Sequence, residues 1–152
     1  MNKKKLSTVT VAISALNEGQ NIDSFLRSVL NQKEEGFVLN KILVISDGST
    51  DDTVKKVKSL KSPKIILKDY ADRTGKSNRL NEIYTGLSSD ILVQSDADVI
   101  FSHPYVIRDI IKPLQSENNV GMCGGHPKPS MAITFVERAV NCSFEVYDGL
   151  RG

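Results

Sequence analysis

Residues 9–30 read VTVAISALNEGQNIDSFLRSVL, and the order of residue types in this stretch sets the pattern for the chain. Val9-Thr10-Val11-Ala12-Ile13 is a short β-branched apolar run, suited to a buried strand. The polar Asn17-Glu18-Gly19-Gln20 ends it. Ile22, Phe25, Leu26, Val29 and Leu30 then fall at i, i+3, i+4, i+7 and i+8, which is one face of a helix.

The same alternation continues along the chain. Lys41-Ile42-Leu43-Val44-Ile45 gives a second strand. Ser49 with Asp52 three residues later has the form of a capping box, opening a helix whose inward residues are Val54 and Val57. Pro63 precedes a third strand, Lys64–Leu67, and Leu80, Ile83, Tyr84 and Leu87 repeat the helical spacing. Ile91-Leu92-Val93 is a fourth strand. Pro104 suits a first helical turn ahead of Ile107, Ile110, Ile111 and Leu114, and Val120-Gly121-Met122-Cys123 reads as a fifth strand. Strands alternating with helices at this interval predict βαβ units and a mainly parallel sheet.

In such sheets ligands bind beyond the carboxyl ends of the strands. Polar clusters fall there three times: Asn17-Glu18, Asp47-Gly48-Ser49, and Asp96 with Asp98. Residues 1–8 are expected to form a basic, flexible tail, with residues 9–152 as the folded domain. From Met131 on, Ile133, Val136, Val140, Phe144 and Tyr147 have helical spacing, but no later strand covers them before Gly152. We therefore expect the C-terminal part of the domain to be missing from this chain. An uncovered apolar last helix is also compatible with pairing of two chains.

Composition narrows the function classes. The chain has 152 residues, 39% hydrophobic and 25% charged, the balance of an ordinary α/β domain. Net charge is only +2, and Lys3-Lys4-Lys5 supply part of it, which argues against a nucleic-acid surface. No apolar run approaches a membrane span. Cys123 and Cys142 stand apart without CxxC spacing, so neither a disulfide framework nor a zinc site is expected, and the thiols point to a cytoplasmic protein. His103 and His126 each precede a proline and are read as loop residues.

Three segments carry chemistry. Asp96-Ala97-Asp98 places two carboxylates at a strand end, where hard oxygen ligands suit Mg2+ or Mn2+ and a cation could neutralise a departing diphosphate. Asp47-Gly48-Ser49-Thr50-Asp51-Asp52-Thr53 offers a carboxylate that could accept from the imide N–H of a uracil. The bland alternative there is a helix cap and nothing more. Arg73-Thr74-Gly75-Lys76-Ser77 sets two cations beside a glycine at a helix start, which suits a phosphate, with a solvated basic loop as the alternative. It lacks the first glycine of a Walker loop.

Val11-Ala12-Ile13-Ser14-Ala15-Leu16-Asn17-Glu18, Asp47–Thr53, Gly75-Lys76-Ser77-Asn78-Arg79-Leu80-Asn81 and Asp96-Ala97-Asp98, in this order and at this spacing, resemble the family 2 glycosyltransferases. The resemblance implies a GT-A fold, a Rossmann-like three-layer αβα domain. It further implies a nucleotide-sugar donor, usually UDP-linked, a divalent metal (Mn2+ or Mg2+), and inversion at the sugar carbon. Carried over by position, Asp47 would bind the base, with Asn17 and Glu18 on the donor side near the nucleoside. Arg73 and Lys76 would stand near base or phosphates. Asp96 would lie towards ribose and sugar, and Asp98 would hold the metal–diphosphate complex. The acceptor would be a growing polysaccharide or a lipid-linked sugar, compatible with peripheral association at the inner face of a membrane.

The departures from the family pattern are specific. Ser14 stands where the family commonly has proline, and Leu16 where an aromatic is frequent, so ring stacking on a base is lost. Arg79 replaces a small residue and is expected to add positive charge near the donor. There is no tryptophan, and no acidic strand–helix junction follows Gly125. Glu137, Glu145 and Asp148 sit in helical context, so no general base is nominated, and this chain is expected to transfer sugar poorly by itself. A sugar-phosphate nucleotidyltransferase would need a glycine-rich basic loop where Ser14–Glu18 stands. A non-catalytic binding or assembly module is the rival from another class.

Overall fold

Hydrophobic side chains on both faces of the strands dictate a sheet buried between two layers. The computed structural model describes residues 5–126 and 128. Its strands are β1 (Ser7–Ala15), β2 (Phe37–Asp47), β3 (Ile65–Tyr70) and β4 (Ile91–Gln94), and its helices α1 (Ile22–Leu30), α2 (Thr53–Ser59), α3 (Lys76–Thr85) and α4 (Val106–Ser116). The sheet is parallel throughout, in the order β3-β2-β1-β4. β2 and β1 are therefore the interior strands, and the pairing of β1 with β4 brings the third polar cluster beside the first.

The pleat divides the core. Val9, Val11 and Ile13 of β1 point with Ile42 and Val44 of β2 and Val93 of β4 towards α1, α2 and α4. Ile22, Phe25, Leu26 and Val29 of α1 fill that side with Val57, Ile107 and Ile111. Phe25 meets Phe101 edge-on, centroids 5.9 Å apart. The other face, Ala12, Leu43 and Ile45, is covered by Ile83 of α3, with Leu80, Tyr70 and Leu92 at its margin. Helices thus lie on both faces, as the three-layer expectation requires.

Four local expectations are corrected. Residues 120–123 form no strand, because among the described residues no neighbouring strand offers them a ladder; Met122 is exposed and the Cys123 thiol donates to the Ile110 carbonyl (2.8 Å). No capping box forms at α2: the Ser49 hydroxyl accepts from the Asn17 amide (3.2 Å), and Asp51 accepts from the Thr53 amide (3.0 Å) at the helix start. Tyr84 is half-exposed, since Arg79 takes the sheet-facing position one turn before Ile83. Finally, β1 begins at Ser7, which draws two residues of the expected tail into the sheet. The apolar segment from Met131 on, with Cys142, Glu137, Glu145 and Asp148, lies outside the described residues. Among those described, no helix is long and apolar enough to cross a membrane.

Candidate functional site

Three strand ends and one helix start converge on a single cleft. It encloses about 280 Å³ and is lined by Ser14, Leu16, Glu18, Asp47, Arg73, Lys76, Asp96, Ala97 and Asp98. Every residue nominated from the sequence lines it except Asn17.

Asn17 has a different task. It adopts a left-handed backbone (φ 56°), which asparagine tolerates better than most residues. Its Oδ1 accepts from the Thr50 amide (2.8 Å), so its side chain ties the turn after β1 to the turn after β2 instead of facing the cleft. Gly19 extends this seam, donating its amide to Asp51 (2.9 Å) while its carbonyl accepts from Lys56 (2.6 Å). An added Cβ there would lie 2.0 Å from the Asp52 carboxylate.

Asp47 ends β2 and is buried, 2% exposed. The turn before α3 folds over it: Oδ1 accepts from the Thr74 amide (2.9 Å) and hydroxyl (3.3 Å), and Oδ2 from the Gly75 amide (2.8 Å). Arg79 reaches back from α3 to donate its Nε to Oδ1 (2.7 Å). The turn can approach because Gly48, at φ 78°, has no Cβ; one would lie 3.0 Å from the Arg73 amide nitrogen. Burial alone would push the Asp47 carboxyl up. The Thr74 amide, the Arg79 guanidinium and the Gly75 amide outweigh it and hold the pKa at about 2.

Arg79 was expected to add positive charge near a donor, and this is corrected. Its charge is neutralised inside the protein. The guanidinium lies 3.8 Å from the Tyr70 ring centroid, donates to the Asp72 carbonyl (3.0 Å) and sits 3.5 Å from Glu82 Oε2. Glu82 also accepts from Lys68 (2.7 Å) and the Tyr70 hydroxyl (2.8 Å), and these bonds keep its carboxyl below the usual range despite burial. A sequence signal existed: an arginine at a sheet-facing helical position must find a buried partner.

The placing of Asp96 and Asp98 in the cleft follows from Ala97. It is 3% exposed and anchored in the core, which turns its neighbours Asp96 and Asp98 outward. Asp96 Oδ1 accepts from Lys76 Nζ (2.6 Å), with both side chains more than half exposed. Asp98 makes no hydrogen bond or ion pair among the described residues, nor does the Arg73 side chain. No group of three or more metal-ligating side chains occurs among the described residues. Asp96 and Asp98 thus present carboxylate oxygens to the cleft, too few by themselves to complete the shell of a hard cation.

A cleft lined by acids and bases at the carboxyl edge of a parallel sheet defines a Rossmann-like α/β ligand-binding domain. The glycosyl transferase family 2 model matches residues 10–148, and the chain belongs to that family. It is 29% identical over 131 residues to the poly-β-1,6-N-acetyl-D-glucosamine synthase of Staphylococcus aureus, covering 84% of this chain and 30% of that protein. It is 32% identical over 137 residues to the glucosyl-3-phosphoglycerate synthase of Mycobacterium tuberculosis, covering 88% and 42%. The chain thus spans less than half the length of these relatives.

Among solved structures, a mannosyltransferase from Pyrobaculum calidifontis, in complex with GDP-Man and Mn2+, matches with TM-score 0.67 at 24% identity. The match covers 77% of this chain and 34% of that one. The mycobacterial synthase with Mn2+, UDP and phosphoglyceric acid matches with TM-score 0.62 at 26% identity, covering 75% and 41%. The fold is the GT-A type that the sequence motifs implied.

Proposed function

We propose that this chain forms the donor-binding part of a glycosyltransferase that uses a nucleoside-diphosphate sugar, UDP-linked, and passes the sugar with inversion to a hydroxyl acceptor. The carrying observation is the distribution of charge in one cleft. Two arrangements share it: a buried, ionised carboxylate, Asp47, and the exposed charged side chains of Arg73, Lys76, Asp96 and Asp98. The first arrangement suits the N–H edge of a base, which needs a desolvated acceptor. The second suits a diphosphate, which needs cations and a shared metal.

Asp98, with Asp96, would hold Mn2+ or Mg2+ through carboxylate oxygens. When bound, such a cation neutralises charge on a leaving diphosphate. Lys76 opens α3, so its ammonium and the positive helix end act on the same phosphates. Glu18 lies at the mouth near the nucleoside, and Leu16 offers an apolar edge without an aromatic ring. The names of the staphylococcal relatives support a polysaccharide acceptor, and the UDP in the mycobacterial structure supports the uridine donor.

Calorimetric titration of UDP tests this, with Mn2+ and then with EDTA. Binding should require the metal, and Asp98→Ala should weaken it by at least about tenfold. UDP binding indifferent to both EDTA and the substitution would overturn the metal-bridged reading. Absence of any nucleotide binding by the folded chain would overturn the donor site altogether.

A further inference from the structure

Leu16 and Glu18 line the cleft, and the residue between them does not. Neither is tied to the far side of its own turn: among the described residues, the Glu18 side chain bonds only to Asn21 (3.0 Å), within the same turn. What holds them lies on either side of Glu18. Asn17 Oδ1 accepts from the Thr50 amide (2.8 Å) and hydroxyl (3.4 Å), and the Asn17 amide donates to the Ser49 hydroxyl (3.2 Å). Gly19 is gripped through its amide by Asp51 (2.9 Å) and through its carbonyl by Lys56 (2.6 Å). Between the end of β1 at Ala15 and this grip on Gly19, Asn17 is the middle anchor.

The fold does not need that anchor. Pairing of β1 with β2 already runs to Ala15 and Ser46, and Asn17 and Thr50 are both exposed, so their bond competes with water and adds little to stability. Nor does the left-handed backbone at residue 17 (φ 56°) call for asparagine, since glycine adopts it at least as readily. What glycine lacks is the acceptor for Thr50.

We propose that Asn17 is a positioning residue of the donor cleft, whose bond to Thr50 holds Leu16 and Glu18 where they meet the nucleoside. Loss of the bond therefore weakens nucleotide binding and leaves the fold as stable as before. The inference deepens the donor-site reading above and rests on it.

The test titrates UDP with Mn2+ into the full chain as wild type, Asn17→Gly and Asn17→Asp, and unfolds each protein in urea. Asn17→Gly keeps the backbone and removes Oδ1. Its UDP affinity should fall about three- to tenfold, the range of one hydrogen bond, with the unfolding midpoint in place. Asn17→Asp retains an acceptor for Thr50 and should bind UDP more tightly than Asn17→Gly; equal affinities of the two variants count against the inference. A double-mutant cycle separates positioning from a merely structural role. In a protein carrying Leu16→Ala and Glu18→Ala, Asn17→Gly should weaken UDP binding little further, because nothing is left to position. The same fall in both backgrounds overturns the inference, and so does an Asn17→Gly protein that binds UDP as the wild type does. If Asn17→Gly does not fold, the protein with Leu16→Ala and Glu18→Ala decides: UDP affinity equal to that of the wild type overturns the inference, and a fall supports it. A wild type that binds no UDP overturns the donor-site reading and this inference with it.

Discussion

In one cleft, two aspartates each meet a cation at nearly the same distance. Asp47 Oδ1 lies 2.7 Å from Arg79 Nε, and Asp96 Oδ1 lies 2.6 Å from Lys76 Nζ. The side chains of the first pair are 3% and 10% exposed, those of the second 55% and 56%. Arg79 has three further partners and Asp47 two backbone amides, whereas Lys76 and Asp96 have little besides each other and water. Bond length alone does not say what an ion pair does. The surroundings do: the buried pair fixes an acceptor in place, while the exposed pair can be exchanged for a ligand's charges at small cost.

The largest effect that could break this contrast is on stability. Asp47→Ala leaves Arg79 without its carboxylate and the Thr74 and Gly75 amides without an acceptor. It should cost about 3–5 kcal/mol in urea unfolding. Asp96→Ala should leave the unfolding midpoint in place. Equal costs for the two substitutions would mean that burial does not distinguish the pairs.

Titration sharpens the same contrast. The Asp47 carboxyl sits at about 2 in the fold against an ordinary 3.8. A depressed folded pKa adds stability that is fully present above the unfolded value and is lost as pH falls through 3.8 towards 2. The unfolding free energy of the wild type minus that of Asp47→Asn should stay level from pH 7 to about pH 5 and shrink below it. A difference that already shrinks near neutral pH would show that the amides and Arg79 do not hold this carboxyl down.

The contrast also marks what the sequence could reveal. Strand and helix positions were legible where apolar residues recur at the proper period, as in Val9–Ile13 and Ile22–Leu30, because burial on one face or both writes itself into spacing. The cleft was legible for a related reason: strand ends in a parallel sheet gather on one edge, so Glu18, Asp47 and Asp96 come together from distant positions. Partner choice was not legible. Nothing in the order of residues tells that Arg79 spends its charge on Asp47, that Asn17 bonds to Thr50 across the seam, or that Ser49 serves Asn17 and not its own helix. Those contacts depend on how two turns meet in space. The fifth strand failed for the complementary reason, since an apolar run such as Val120–Cys123 becomes a strand only where a neighbour pairs with it.

The smallest expected effect is also the most diagnostic for the exposed pair. Lys76→Ala removes an ammonium whose side chain is more than half in solvent, and Asp96 can rehydrate when it is gone. The unfolding midpoint should therefore not move, as for most exposed pairs. UDP affinity in Mn2+ should still fall by about tenfold, because the lost charge is one that a diphosphate would have used. Added salt separates the two contributions. Screening weakens the attraction of the wild type for UDP, so its affinity should drop more steeply with ionic strength than that of Lys76→Ala. If Lys76→Ala instead lowers the midpoint and leaves UDP affinity and its salt dependence untouched, the Lys76–Asp96 pair is a strut like its buried counterpart. The phosphate end of the cleft would then have to be sought at Arg73.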